Sequence, residues 1–171
     1  MDAVALRHYT HPDLPSIRQH LLDVHADLPE YDHGDPFVQR FPWFVDHWGG
    51  LPDFTCVIAY EGSEPAGFIY GAPLSHGSEW WRGHTVPDGP DTTTYAVSEL
   101  AVRPPWRKTG LARRLHEALL ADRSESLAVL TALADTPKLH QLYADWKYTK
   151  VGERRFFPDS PTFVVMLRSL P

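Results

Sequence analysis

The sequence has a single cysteine, fewer basic than acidic residues and no long apolar segment. A lone cysteine, Cys56, in 171 residues excludes an internal disulfide. The 16 Lys and Arg residues are outnumbered by 22 Asp and Glu, and the net charge of -6 argues against a general nucleic-acid binder. No apolar run is long enough to span a bilayer, and the opening MDAVALRHYT shows no leader pattern. We therefore expect a cytoplasmic protein with no membrane and no nucleic-acid partner.

What is present is an ordinary globular composition. Hydrophobic residues make up 43% of the chain and charged residues 22%, which is too apolar for a disordered protein. No repeat or low-complexity tract divides the chain, and its length is near the usual size of one domain. The sequence therefore predicts a single domain over residues 1–171.

Hydrophobic periodicity predicts strands alternating with helices. Residues 4–10 alternate as a strand does, and Leu14, Ile17 and Leu21 follow at helical spacing. A short helix with irregular flanks is expected between Pro29 and Pro52. The later elements are a hairpin over 56–60 and 66–71, a loop at 75–93, a strand in TYAVSELAV, a helix after Gly110, a strand over 127–133, a helix from Pro137, and strands in KYTKVGERRFF and PTFVVMLRSL.

The segment RKTGLARRLHEALL, from Arg107 to Leu120, joins a predicted strand to a predicted amphipathic helix. Amides in the first turn of a helix have no internal partners, and Gly110 and Ala112 leave room for a ligand near the backbone. No acidic residue interrupts the basic residues of this region, which are Arg103, Arg107, Lys108, Arg113 and Arg114. The segment lacks the patterns of a P-loop and of a dinucleotide fingerprint. It predicts a site for a polyanion, or else a tight turn followed by a solvated helix face.

The stretch SELAVRPPWRKTGLA resembles the Arg/Gln-x-x-Gly-x-Gly/Ala signature of the GNAT superfamily of acyl-CoA-dependent N-acyltransferases. The later LTAL strand and HQLYADWKY helix also follow the order of that family, and the resemblance spans nearly the whole chain. It implies an α/β fold, with a mixed, mostly antiparallel central sheet of about six to seven strands flanked by helices. The family's sheet is splayed between the fourth and fifth strands.

The resemblance also implies where an acyl-CoA would bind. The pantetheine arm would lie beside the backbone of Leu100, Ala101 and Val102, and the pyrophosphate on the amides of the following loop. Thr136 stands where many members have Asn and joins this set. In addition to residues 100–102, the residues expected to bind the cofactor are Arg107, Lys108, Thr109, Gly110, Leu111, Ala112, Arg113 and Thr136.

Two side chains take catalytic roles by the same resemblance. Tyr143, in a Leu-Tyr pair, would protonate the departing thiolate, and Glu99 would draw a proton from the amine, usually through water. The alternatives are an ordinary half-buried tyrosine and a structural or substrate-orienting glutamate, with Ser98 a weaker polar candidate. The chain departs from the family at Thr136 and at Lys147-Tyr148, where Gly-Phe is common.

The acceptor is expected to be a cationic amine. Aromatic and acidic residues of the early helices and the long loop would attract it, namely Trp43, Phe44, Trp48, Trp80 and Trp81 with Asp32, Asp35, Glu79, Asp88 and Asp91. Core packing for the aromatics and solvation for the acids are the alternatives. A second cluster contains His25, Asp27, Asp32, His33 and Asp35, but its spacing fits no zinc pattern, so no metal is expected.

These residues together predict an N-acetyltransferase that moves acetyl from acetyl-CoA to a primary amine of a small molecule or peptide in one ternary complex. An inactive acyl-CoA-binding sensor or interaction module is the alternative, and a protein that binds another nucleotide is a more distant one. The sequence leaves open the amine, the length of the acyl group and whether the chain forms a homodimer.

Overall fold

The computed structural model describes residues 3–171 and contains the predicted elements in the predicted order. The strands are β1 (Val4–Thr10), β2 (Thr55–Glu61), β3 (Glu64–Pro73), β4 (Thr94–Val102), β5 (Leu127–Leu133), β6 (Thr149–Arg154) and β7 (Phe163–Ser169). The α-helices are α1 (Leu14–Ala26), α2 (Phe41–Gly49), α3 (Leu111–Leu120) and α4 (Pro137–Asp145). None of the helices among residues 3–171 is long and apolar enough to cross a membrane.

The seven strands form one mixed sheet in the order β1-β2-β3-β4-β5-β7-β6, which confirms the predicted fold class. β1 pairs with β2, β2 with β3, and β7 with both β5 and β6 in antiparallel ladders. β3 and β4 also run antiparallel, because the Arg103 amide bonds to the Ala66 carbonyl and the Leu74 amide to the Thr94 carbonyl, each at 2.9 Å. The parallel ladder between β4 and β5 covers only the first three residues of each strand, 94–96 with 127–129.

The described residues form two compact units, and the first consists of those up to Ala72 together with Ser98–Arg123. Its core lies between the helices α1 and α2 and one face of the sheet. Apolar residues three or four positions apart, as in Ile17, Leu21 and Val24 of α1, face that core. The sheet contributes alternating residues, as expected for strands with one face against a core, namely Cys56, Ile58, Tyr60, Phe68, Tyr70 and Ala101. α3 packs on β2 in the same unit.

The second unit consists of Pro73–Val97 and Ser124–Pro171. β5 is buried along most of its length, which agrees with its continuously apolar sequence. The loop predicted before β4 is held by polar contacts: the indole of Trp81 donates to the Thr94 hydroxyl at 2.9 Å, and Trp81 is 4% exposed. Glu79 is equally buried, and Arg82 donates two hydrogen bonds to its carboxylate. These two residues, predicted to face an amine, are therefore structural.

Candidate active site

The middle strand of the sheet, β4, is unusual because its centre is partly exposed. Residues 94–97 and 101–102 are buried, whereas Ser98, Glu99 and Leu100 between them are half-buried. A strand with three neighbours on either side in the sheet is normally buried along its length. Glu99, the carboxylate candidate of the sequence, lies in this half-buried segment.

Glu99 lies on the sheet face that packs against α1 and α2. Ala101, two positions further along, belongs to that core, and residues two apart in a strand share a face. The Tyr31 hydroxyl, from the connection between α1 and α2, donates to Glu99 Oε1 at 3.3 Å. Burial raises the pKa of Glu99 to about 7, and the hydrogen bond from Tyr31 lowers it by less. A carboxyl group that ionises near neutral pH has the protonation behaviour required of a general base.

Tyr31, the hydrogen-bond partner of Glu99, belongs to a series of stacked aromatic rings. The ring of Tyr31 stacks on His25 at 5.0 Å, and His25 stacks in turn on Phe41 at 3.9 Å. Burial, followed by the charge of His33, lowers the pKa of His25 to about 4, so this imidazole is neutral at physiological pH. Within residues 3–171, no group of His, Cys, Asp and Glu side chains has the arrangement of a metal site.

Tyr70 of β3 lies on the same face and was not singled out by the sequence, where it reads as one more core position of an apolar strand. Its side chain is 1% exposed. Burial, and next the negative charge of Glu99, raise the pKa of Tyr70, while a hydrogen bond with the Ser98 side chain lowers it. Tyr70 and Tyr31 thus approach Glu99 from two different elements, and neither contact has a local sequence signal.

The loop between β4 and α3 has the backbone geometry expected of an anion site. Gly110 has a φ of 84° and Lys108 a φ of 61°, so the loop makes two left-handed turns before the helix. The first hydrogen bond of α3 joins the Arg114 amide to the Gly110 carbonyl at 3.1 Å. The amides of residues 111–113 therefore have no intrahelical acceptor and carry the positive end of the helix dipole. A Cβ built on Gly110 would meet no atom within 4 Å, so the approach to this turn is open.

Two of the five basic residues around this loop are already paired. Arg103 contacts Asp27 at 2.9 Å, and Arg107 donates two hydrogen bonds to the Glu30 carboxylate at 2.8 and 2.9 Å. The Arg107 guanidinium also donates to the Val102 carbonyl, and its amide donates to the Pro104 carbonyl. Arg107 thus fixes the shape of the loop. Lys108 and Arg113 are exposed, as Arg107 is. Phosphate binding by Arg107 stays a prediction, in competition with Glu30.

The remaining candidates belong to the second unit. Thr136 immediately precedes α4, and Tyr143 lies on that helix, half-buried, with its ring edge-on to Trp146 at 5.4 Å and to Tyr148 at 6.2 Å. The helix ends through Lys147, whose φ of 73° is a left-handed conformation that favours glycine. The chain therefore makes a left-handed turn at a lysine. The roles of Thr136 and Tyr143 remain predictions.

The sequence matches the family described as "Acetyltransferase (GNAT) family" over residues 16–147. The chain belongs to this family. A comparison with curated proteins gives no match.

Solved structures agree on the fold. A protein of Desulfovibrio desulfuricans assigned to the GNAT family is 18% identical, with a TM-score of 0.71 over 98% of this chain and 99% of that one. Arabidopsis thaliana NAA60 is 16% identical: its complex with acetyl-CoA gives a TM-score of 0.69 over 98% and 99% of the two chains. Its complex with a bisubstrate analogue gives 0.68 over 98% of each.

Proposed function

We propose that this protein is an N-acetyltransferase that transfers acetyl from acetyl-CoA to a primary amine by direct attack in a ternary complex. The observation that carries the proposal is Glu99: a carboxyl group with a pKa of about 7 at a partly exposed point of the central strand. A base of this kind suits an amine, which is mostly protonated near neutrality and must lose a proton to attack a thioester.

The β4–α3 loop fits coenzyme A. Its open turn at Gly110 and the unpaired amides at the start of α3 suit a pyrophosphate, and Lys108 and Arg113 add exposed positive charge. Beyond Ala96, β4 has no partner in the β5 ladder among the described residues, so its backbone at Leu100–Val102 suits the pantetheine amides. When bound, acetyl-CoA supplies an activated acetyl group as a thioester.

The chain's own residues divide the proton transfers. Glu99 accepts the amine proton, and desolvation of its carboxyl group makes it basic enough near pH 7. Tyr143 donates its phenolic proton to the leaving sulfur. NAA60 binds a bisubstrate analogue, and its shared fold supports a mechanism in which both substrates are held together.

The acceptor we infer is cationic, although the acids named from the sequence are partly committed to structure. Asp32 and Asp35 each accept a hydrogen bond from a backbone amide two residues later, and Asp91 does the same with Thr93. These carboxylates are exposed, so they attract a cation by long-range electrostatics rather than through a preformed pocket.

An acceptor screen tests this function. The purified protein is incubated with acetyl-CoA and a panel of polyamines, aminoglycosides, lysine peptides and free peptide N-termini. Thiol release is measured, and mass spectrometry locates the added acetyl group. Amide-linked acetyl on one amine class supports the proposal. Coenzyme A binding by calorimetry with no acetyl transfer across the panel would instead indicate the acyl-CoA-binding sensor.

A further inference from the structure

Two adjacent residues of the α1–α2 connection, which comprises residues 27–40, contact β4 and the loop after it. Glu30 accepts two hydrogen bonds from the Arg107 guanidinium, at 2.8 and 2.9 Å. Tyr31 donates a hydrogen bond to Glu99 at 3.3 Å. Because Glu30 and Tyr31 are neighbours in the chain, a contact that holds the first also restricts where the second can lie. One peptide bond therefore links the β4–α3 loop to the hydrogen bond on the proposed base.

The other hydrogen bonds of this connection are local. Asp32 and Asp35 each accept a hydrogen bond from an amide two residues later, and the His33 ring bonds to the Leu28 carbonyl at 2.8 Å. Leu28 itself is part of the core, with 2% of its surface exposed. These contacts shape the connection and anchor its start. They do not join the residues after Leu28 to the β4–α3 loop, as the ion pair of Glu30 does.

Arg107 is held on its other side by the backbone of β4. Its Nε donates to the Val102 carbonyl at 2.9 Å. In a trans peptide unit, the C=O and the N–H of the following residue point in opposite directions. The Arg103 amide bonds to Ala66 of β3, so the Val102 carbonyl points away from β3, toward the side where we propose that pantetheine lies. The arginine thus occupies a backbone acceptor on the cofactor side of the strand.

A phosphate group bound at the start of α3 would compete with Glu30 for this guanidinium. Arginine stays charged near neutral pH and forms the same kind of charge-assisted hydrogen bond with a carboxylate and with a phosphate. Both side chains of the pair are accessible to solvent, and exposed ion pairs contribute little to stability. A pyrophosphate on the loop would therefore break the contact between Arg107 and Glu30.

We propose that Glu30 is a positioning residue that couples the cofactor site to the proposed base. The inference rests on the proposed function. While Arg107 holds Glu30, the connection is fixed with the Tyr31 hydroxyl on Glu99. When a phosphate of acyl-CoA binds Arg107, Glu30 is released, and Tyr31 can leave the carboxylate so that an amine approaches it. The acceptor then reaches Glu99 after the acyl donor has bound.

Amide hydrogen exchange tests the hold of Glu30 on the connection. Glu30→Gln removes the charge and keeps the size of the side chain, so the amides of residues 30–35 should exchange about 2- to 5-fold faster, the range for loss of an exposed ion pair. Coenzyme A should cause a similar increase in the wild-type protein and no further increase in Glu30→Gln. A connection held by direct contact with the ligand would exchange more slowly instead, so the sign of the change separates the two cases.

Asp46→Asn is the matched control. Asp46 pairs with Arg18 at 2.7 Å and joins α2 to α1, and 37% and 53% of the Arg18 and Asp46 side chains are accessible, against 37% and 51% for Arg107 and Glu30. The variant therefore loses an equally exposed ion pair that does not contact the β4–α3 loop. Exchange of residues 30–35 should stay at the wild-type rate. An equal increase in Asp46→Asn would overturn the inference, because loss of any exposed pair would then loosen the connection.

Calorimetric titration with coenzyme A tests the competition for Arg107. Glu30→Gln should bind coenzyme A about 2- to 5-fold more tightly than the wild-type protein, because the guanidinium no longer has to leave a carboxylate. Asp46→Asn should bind as the wild-type protein does. Unchanged affinity in Glu30→Gln overturns the inference. A gain in affinity without faster exchange also overturns it, since Glu30 would then act on the phosphates through its charge alone.

These measurements need no acceptor, so they separate this inference from the proposed function. Coenzyme A binding without the change in exchange overturns the coupling alone, even if an amine is acetylated. The change in exchange without acetylation of any amine supports the coupling and counts against the proposed function alone. Absence of coenzyme A binding to the wild-type protein would overturn both.

Discussion

Glu99 can change its charge near neutral pH because its carboxyl group is desolvated. Tyr31, which donates a hydrogen bond to it, stacks on His25, and His25 stacks on Phe41. Loss of hydration penalises the charged form, and a single hydrogen bond from Tyr31 does not compensate for it, so the pKa stands at about 7. The same residue is therefore ionised enough to accept a proton and basic enough to hold it.

The first prediction concerns this carboxylate. In the wild-type protein, kcat/KM should rise with pH through about 7, because Glu99 must be ionised to act as a base. Glu99→Gln should lower turnover by roughly 10²-fold and remove this acidic limb. Initial rates between pH 5.5 and 9 provide the measurement, with coenzyme A affinity as the control for folding. A variant that retains the limb and most of its rate would make Glu99 structural.

The second prediction concerns Tyr143. Thiols ionise near pH 8.5, so the leaving thiolate needs only moderate help. Tyr143→Phe should reduce kcat by about 10- to 10³-fold and leave coenzyme A affinity nearly unchanged. Tyr148→Phe is the matched control, since Tyr148 is a buried neighbour of the Tyr143 ring and has no predicted chemical role. Full activity of Tyr143→Phe with an intact thermal melt would show that another donor supplies the proton.

At the scale of single elements, Gly110 of the β4–α3 loop can be compared with Gly62 of another turn in the same chain. Gly110 and Gly62 both have positive φ, 84° and 62°, and a Cβ on either would meet no atom within 4 Å. Gly62 lies in the turn between β2 and β3, outside the loop. Valine at either position strains the backbone, so both variants should lose stability by a similar amount, on the order of 1–2 kcal/mol.

The third prediction follows from that pairing. Gly110→Val should abolish coenzyme A binding, because it places a branched side chain where the pyrophosphate must approach the amides. Gly62→Val should bind normally at a temperature where both variants are folded. Calorimetric titration with coenzyme A measures both. Equal affinity in the two variants would remove the loop from the site.

The fourth prediction concerns the end of α4. Lys147 adopts a φ of 73°, which a side chain makes unfavourable and glycine does not. Lys147→Gly should therefore raise the free energy of unfolding by about 0.5–1 kcal/mol, the relief of strain exceeding the added entropy of the unfolded chain. Lys147→Ala keeps the Cβ and should give no such gain. Urea denaturation compares the three proteins, and equal gains in both variants would point to the lysine charge instead.

At the scale of the whole molecule, two groups that lose hydration on folding, His25 and Glu99, change stability with pH in opposite directions. The folded pKa of His25 is about 4, below its unfolded value, so its contribution is lost as pH falls below about 6.5. The folded pKa of Glu99 is about 7, above its unfolded value, so protonating it favours the fold as pH falls from 7. The pH dependence of the wild-type protein includes the difference between the two effects.

The fifth prediction separates them. Between pH 7 and pH 5, His25→Phe should lose less unfolding free energy than the wild-type protein, by on the order of 1 kcal/mol once solvent screening is allowed for. Glu99→Gln should lose more than the wild-type protein, because the compensating protonation is gone. Chemical denaturation at the two pH values gives the order. The reverse order would mean that these groups are not buried as described.

The sequence predicted those features that depend on neighbouring residues in the chain or on a motif shared by the family. Periodicity placed the helices and strands, and the signature placed the loop at Gly110, because both depend on residues close together in the chain. The contact between Tyr31 and Glu99 joins residues 68 positions apart, so no local pattern contained it. The same holds for the approach of Tyr70 to Glu99, which depends on the register of β3 and β4. The aromatic residue Trp81 belongs to the core because Thr94 offers its indole a buried partner.

Two ion pairs affect how coenzyme A affinity should depend on salt concentration. They join Arg103 to Asp27 and Arg107 to Glu30. Both tie the segment that carries Tyr31 to the loop that we propose binds coenzyme A, and the Arg107 pair is well exposed, with 37% and 51% of the two side chains accessible. Exposed pairs weaken as ions screen them, just as contacts between protein and phosphate do. The fall of coenzyme A affinity with ionic strength therefore sums two effects of opposite sign, because salt also frees Arg107 from Glu30. Glu30→Gln removes the internal competitor and leaves the phosphate contribution to be read directly.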